Sequence, residues 1–195
     1  MKKILSIALF LTPFFSFSQA TKPIEGFLGI KFGSSKAAVI AAIKARGGII
    51  NKAGNADNLA FDNVTFAHRK VDFLVVRFVD NKAFEADFTF TPQDDNHAIE
   101  YYDNLVNDVN EIYGKGEATK KFSDPYKDGD GHEMSALMIG AADYSTLWEG
   151  SNNNSILAKI VKTDNNDLNI KLGYQDGTLV KQAIAKQKAH DKGDF

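Results

Sequence analysis

The chain has 195 residues, with 23 basic and 25 acidic side chains, 15 phenylalanines, one tryptophan and no cysteine. So even a balance of charge, tilted slightly acidic, excludes the usual nucleic-acid binder with its basic stripe and a polybasic membrane-surface protein. The absence of cysteine excludes disulfides and a thiol nucleophile.

Residues 1–20 read as a cleavable secretory signal. Lys2 and Lys3 supply a positive start, Ile4 to Phe17 is an almost unbroken apolar run, and Ser18-Gln19-Ala20 offers small residues for cleavage. The run is shorter than the roughly 20 residues a membrane helix needs. A lipoprotein carries its lipid on a cysteine directly after the signal, where this chain has Thr21. The sequence therefore predicts export to the periplasm or beyond, cleavage near Ala20, no lipid anchor and no later membrane span.

Residues 21–187 read as a single α+β domain, and 188–195 as a polar tail expected to fray. Phe27 to Phe32 is a short strand. Ser34 and Ser35 can cap a helix from Lys36 to Arg46, which Gly47-Gly48 ends. Leu59–Phe61 and Val64–Ala67 flank a turn at Asp62-Asn63. Val71 to Val79, apolar on both parities, reads as a central strand. Asp80-Asn81-Lys82 is a hairpin turn. Phe84, Ala86, Phe88 and Phe90 then alternate with Glu85, Asp87 and Thr89, which predicts one buried face and one exposed face.

A second cycle follows. Asp94 or Asp95 caps a helix from about Asn96 to Tyr113, whose apolar stripe is Ile99, Tyr102, Leu105, Val106, Val109, Ile112 and Tyr113. Glu100, Asp103, Asn104, Asn107 and Asp108 form its wet side. Gly114 and Gly116 stop it. Lys120 to His132 reads as a polar loop, Ala136–Ile139 and Tyr144–Trp148 as strands, and Ile156–Lys162 as another. Asp164-Asn165-Asn166 turns the chain into an alternating strand through Leu168, Ile170, Leu172 and Tyr174. A third amphipathic helix begins after Thr178. The order of elements, a helix, a glycine stop and then strands, occurs twice, as a structural pseudo-repeat. The predicted architecture is an antiparallel sheet with helices on one face.

Chemical motifs are sparse. Asp128-Gly129-Asp130-Gly131 resembles part of a calcium loop, but in that register the first and twelfth ligand positions fall on Tyr126 and Leu137. Asp124, Asp130 and Glu133 are what is left for an irregular site. His68, His97, His132 and His190 show no metal-binding spacing. His68, with Asp72 and Arg77 near it in sequence, is the histidine placed in a strand region. There is no G-x-S-x-G elbow, no P-loop and no dinucleotide fingerprint. Asn153-Asn154-Ser155 matches a glycosylation acceptor and implies an exposed loop. Trp148 and Tyr144 share a strand parity and could stack on a ligand, but core burial is the favoured reading. The sequence thus assigns no catalytic, cofactor-binding or metal residue, and implies no cofactor.

The stretch Gly29-Ile30-Lys31-Phe32-Gly33-Ser34-Ser35, entering a helix that runs past Val39 and is followed by meandering strands, resembles small exported bacterial domains. These are the β-lactamase-inhibitory-protein-like architecture and the small outer-membrane assembly lipoproteins. The resemblance implies an α+β fold that acts by binding other proteins, and it carries over no functional residue. Two function classes stand at this stage. One is a non-catalytic binding module of the bacterial envelope, its partner another envelope protein or a small envelope ligand. The other is an exported hydrolase-type enzyme with an irregular Asp/Glu/His site.

Overall fold

The computed structural model describes residues 22–193, so the signal-peptide reading lies outside the described residues. The fold is α+β, with four α-helices and an eight-stranded antiparallel sheet. The chain opens with a small hairpin, β1 (Gly26–Phe27) and β2 (Ile30–Lys31), where a single strand was expected. Leu28 and Gly29 turn it with positive φ, 48° and 77°. Helix α1 (Lys36–Ala45) starts as predicted, with the Ser35 hydroxyl accepting from the Ala38 N–H.

The next strands are β3 (Ile49–Asn51), β4 (Asn58–Asp62), β5 (Val64–Phe66), β6 (Arg69–Val71), β7 (Phe73–Val79) and β8 (Lys82–Phe90). Helix α2 (Ala98–Tyr113) follows a 3₁₀ turn at Asp95–His97. Then come β9 (Glu117–Phe122), α3 (Glu133–Met138), β10 (Ala142–Glu149), β11 (Ser155–Lys162), β12 (Leu168–Gln175) and α4 (Gly177–Gly193). No helix among the described residues is long and apolar enough to cross a membrane.

The large sheet runs β3-β4-β7-β8-β12-β11-β10-β9. This order gives the pseudo-repeat physical form. One helix-plus-meander, α1 with β3, β4, β7 and β8, meets a second, α2 with β9 to β12, and the last strands of the two meanders pair at the centre. There Phe88 stands opposite Leu172, and Ala86 opposite Tyr174.

Strand alternation divides the sheet into two unlike faces. Phe61, Leu74, Val76, Ala86, Phe88, Phe90, Ile170, Leu172, Ile156 and Ala158 point to one of them and are buried. Val39 and Ile43 of α1, Tyr102, Leu105 and Val109 of α2 and Leu137 of α3 join the same core. Between α1 and α2 the β5–β6 hairpin leaves the sheet and folds over this face. Its Phe66 ring lies 5.3 Å from Phe88, 6.2 Å from Phe90 and 6.2 Å from Tyr174. The excursion explains why the apolar run Val71–Val79 is two strands: Val71 pairs with Val64 in the hairpin, and Phe73 resumes in the sheet opposite Thr89. Helix α4 contacts β7, β8 and the turn at Ser151–Asn153, and ties back to the β7–β8 turn through Gln182 and Lys186 on Asp80.

Several expectations are corrected. Ala136–Ile139 is the end of helix α3, because a short apolar run has no period to separate strand from helix. Lys120–Phe122 belongs to edge strand β9, whose polarity hid it; lysine on an edge strand discourages pairing with other chains. Strand β3 was not foreseen. Residues 188–193 continue α4 and do not form a separate tail. Ile112 is 46% exposed and stands outside the α2 stripe, while Asp108 on the supposed wet side pairs with Arg69.

Candidate binding face

Helices α1 to α3 pack on the first face, and among the described residues the second face carries only α4 at one end, where Ala183, Lys186 and Gln187 lie beside Asn58, Val79 and Phe84. The second face is built from the alternate residues of eight strands. Toward the first half stand Asn58, Arg77, Glu85 and Asp87; toward the second stand Lys171, Gln175, Leu157, Lys159, Ser145, Leu147 and Glu149. Cross-strand register fixes these neighbours. Arg77 faces Glu85, Asp87 faces Gly173, Gly173 faces Leu157, and Leu157 faces Leu147.

Gly173 lies in a central strand where a side chain would be expected. A Cβ there would come within 2.9 Å of Asp87 Oδ1. Its absence lets the Asp87 carboxylate lie over the β12 backbone and leaves a shallow depression of about 440 Å³ in the middle of the face. Glycine inside a strand marks such close approaches.

One wall of the depression is a charge cluster. Arg77 Nη1 lies 2.7 Å from Glu85 Oε1 and 2.7 Å from Asp87 Oδ2. Burial opposes the guanidinium charge, but hydrogen bonds and attraction from Glu85 and Asp87 outweigh it and raise the Arg77 pKa. Burial, joined by the Asp87 charge, pushes the Glu85 carboxyl above the usual range despite its bond to Arg77. Glu85 and Asp87, expected to be exposed, are thus half-buried under this ion pair, whereas Phe84, Phe88 and Phe90 are buried as expected. Phe84 occupies a bulge, since Arg77 pairs with Glu85 but Phe78 with Ala83.

The opposite wall is Lys171 and Lys159, directly across from each other on β12 and β11. Neither makes an ion pair with any described residue. Leu157 beside them is 38% exposed.

The residues singled out from sequence fall elsewhere. Asp130 accepts from the N–H groups of Lys127 and His132, and Glu133 from that of Gly129, so both carboxylates order their own loop. The Asp130 pKa is lowered by those backbone bonds. Among the described residues no three of His, Asp and Glu converge as a metal site would require. His68 sits at the exposed tip of the β5–β6 hairpin, with φ 64°, and not in a strand. It does not assemble with its sequence neighbours, because Asp72 accepts from the Thr91 N–H and Arg77 belongs to the open face. His97 Nδ1 contacts Asp94 Oδ1 at 3.0 Å, and His190 falls within α4. Asn154, placed by sequence in an exposed loop, is buried: its side chain donates to the Ile24 carbonyl and accepts from the Gly177 N–H. Trp148 and Tyr144 are core residues, and the Trp148 indole donates to Asn110 Oδ1 and the Gly114 carbonyl.

Sequence reasoning missed the open-face set because Arg77, Glu85, Lys159 and Lys171 lie on strands far apart in the chain. The one available signal was Gly173 inside an otherwise regular alternating strand. No known family, characterised protein or solved structure matches this chain.

Proposed function

We propose that this protein is an exported, non-catalytic binding module of the bacterial envelope that engages a partner through the open face of its sheet. One observation carries the reading: beyond the end that α4 covers, the second face of the eight-stranded sheet is open among the described residues, with exposed Leu157 and a depression at its centre. The two-meander layout supports it, since it places α1, α2 and α3 on the core side and leaves α4 at one end of the other. The resemblance of the chain's entry into α1 to exported binding domains supports it as well.

The test is site-specific photo-crosslinking in the native envelope. A photoreactive residue at position 157 is expected to capture a partner, and one at Asn104, on the outer side of α2, is expected not to. Capture from position 104 alone would overturn the assignment of the face. Export is tested separately by N-terminal sequencing of secreted protein, which is expected to begin near Thr21.

A hydrolase is the second reading, and one observation favours it: Glu85 has a raised pKa beside a second carboxylate. Against it, both carboxylates are bound to one guanidinium nitrogen on an open surface. A panel of ester, peptide and glycoside substrates, with Glu85→Gln as the control, separates the two. Turnover abolished by that change would establish the enzyme.

A further inference from the structure

The two lysines of the open face are placed in a way that the fold does not require. In an antiparallel sheet, directly opposed like charges destabilise the pair. Lys159 and Lys171 are so opposed, in the middle of the sheet and one residue pair from the Gly173 depression. Nearby carboxylates do not relieve them. Glu85 and Asp87 are taken up by Arg77, and Asp143 and Glu149 lie farther out on β10 without an ion pair to either lysine. A neutral residue at either position would serve the sheet better, so the arrangement points outward, to something that brings negative charge.

We propose that Lys159 and Lys171 form an acid-receiving site, and that the partner is a protein segment presenting an aspartate or glutamate side chain, with an apolar neighbour against Leu157 and Leu147. The inference rests on the open face being the binding surface. Charge complementarity selects the occupant. A carboxylate midway between two ammonium groups removes their repulsion and gains two charge-assisted hydrogen bonds. Leu157, 38% exposed, offers the adjoining apolar contact. A planar anionic lipid surface fits less well, because Glu85, Asp87, Asp143, Glu149 and Glu117 share this face and would repel it. A protein loop can address the lysines alone.

The experiment selects random linear peptides, displayed on phage, against the purified protein and measures the winners' affinity for three variants. The expected result is a set enriched in Asp or Glu beside an apolar residue. Binding should weaken about tenfold with Lys159→Gln/Lys171→Gln, fall as salt rises, and be lost with Leu157→Arg. Lys171→Gln alone should raise the thermal midpoint by about 1–3 °C, since it relieves the repulsion; cooperative thermal unfolding of the double lysine variant and of Leu157→Arg shows that lost binding is not lost folding. Peptides without acidic enrichment that are lost with Leu157→Arg but indifferent to the lysines would overturn the acid-receiving site and leave the binding face standing. Peptides indifferent to all the variants, or no selected peptide, would overturn both. Lysine-dependent binding of inorganic phosphate or of phosphatidylglycerol vesicles, without peptide binding, would show that the pair serves a phosphate group or a membrane and would overturn the proposal.

Discussion

The hydroxyl of Tyr102 on α2 meets the hydroxyl of Thr146 on β10 at 2.7 Å, in a fully buried contact between the helix layer and the sheet. Either group alone in that position would be an unsatisfied buried polar atom. Thr146→Val and Tyr102→Phe should therefore each cost about 1–3 kcal/mol, whereas the double variant should recover much of the loss, because two apolar partners leave nothing unpaired. A double-mutant cycle by denaturant titration measures this. Additive losses would show that the bond does not hold the two layers.

The same pair contributes to the alkaline limit, together with buried Tyr144 and Tyr174, whose pKa values burial also raises. Burial, only partly offset by the Thr146 bond, raises the Tyr102 pKa to about 12. An unfolded tyrosine titrates near 10, roughly. A raised folded pKa means that the native state keeps its proton longer. The stability it contributes is fully present below the unfolded value and is lost as pH rises through the folded one. Unfolding free energy should thus decline from about pH 10 to 12, and less steeply in Tyr102→Phe. Equal slopes would show that other groups dominate the alkaline response.

The core assignment makes a paired prediction on α2. Leu105 is fully buried, and Asn104 is exposed on the far side of the helix. Leu105→Asp places an unpaired carboxylate in the core and should prevent stable folding, while Asn104→Asp should be nearly silent. Phe88→Ala, at the centre of the sheet, should cost about 3–5 kcal/mol through lost burial and a cavity. A loss below about 1 kcal/mol would contradict its place in the core.

Elements with a clear period were legible in the sequence: the β8 alternation, the α2 stripe, the Ser35 cap and the Asp80-Asn81 turn, whose residues have φ 48° and 60°. What stayed hidden depended on tertiary context. Ala136–Ile139 is too short to reveal whether its period is helical, and β9 is polar because it is an edge. The division of Val71–Val79 between two sheets needs the β5–β6 hairpin to fold over Phe88, which no local pattern announces. The open-face set was hidden for a related reason. Arg77, Glu85, Lys159 and Lys171 converge only after the two meanders join at β8 and β12, so sequence set Arg77 beside His68 and Asp72 and showed Glu85 and Lys171 as wet positions of alternating strands.

Gly173→Ala tests the depression directly. A methyl group 2.9 Å from Asp87 Oδ1 must displace that carboxylate, leaving Glu85 as the partner of Arg77. Alanine also improves on glycine within a strand by roughly 0.5–1 kcal/mol, so stability should change by less than about 1 kcal/mol. Any selected peptide should nonetheless bind more weakly. Unchanged binding with an intact Arg77–Asp87 pair, read from a crystal structure of the variant, would show that the glycine does not shape the site.

The last prediction concerns the seat of Trp148, the chain's single tryptophan. Asn110 Oδ1 accepts from the Gly116 N–H at 2.9 Å and from the Trp148 indole at 3.0 Å. The indole also donates to the Gly114 carbonyl at 3.0 Å. Gly116 looks in sequence like a helix stop, but a Cβ there would fall 2.6 Å from Trp148 Cε2 and 2.6 Å from Thr146 Cγ2. The glycine is therefore needed to let the indole lie flat against the chain leaving α2. Gly116→Ala must push the ring off both acceptors and should cost about 1–3 kcal/mol from overpacking. Asn110→Leu should cost a similar amount, because it strands the Gly116 N–H and leaves the indole the Gly114 carbonyl alone. Both should shift tryptophan emission to longer wavelength, since a displaced ring meets water. Emission reports this one residue alone, so an unshifted spectrum with undiminished stability in Gly116→Ala would show that Trp148 is not seated there.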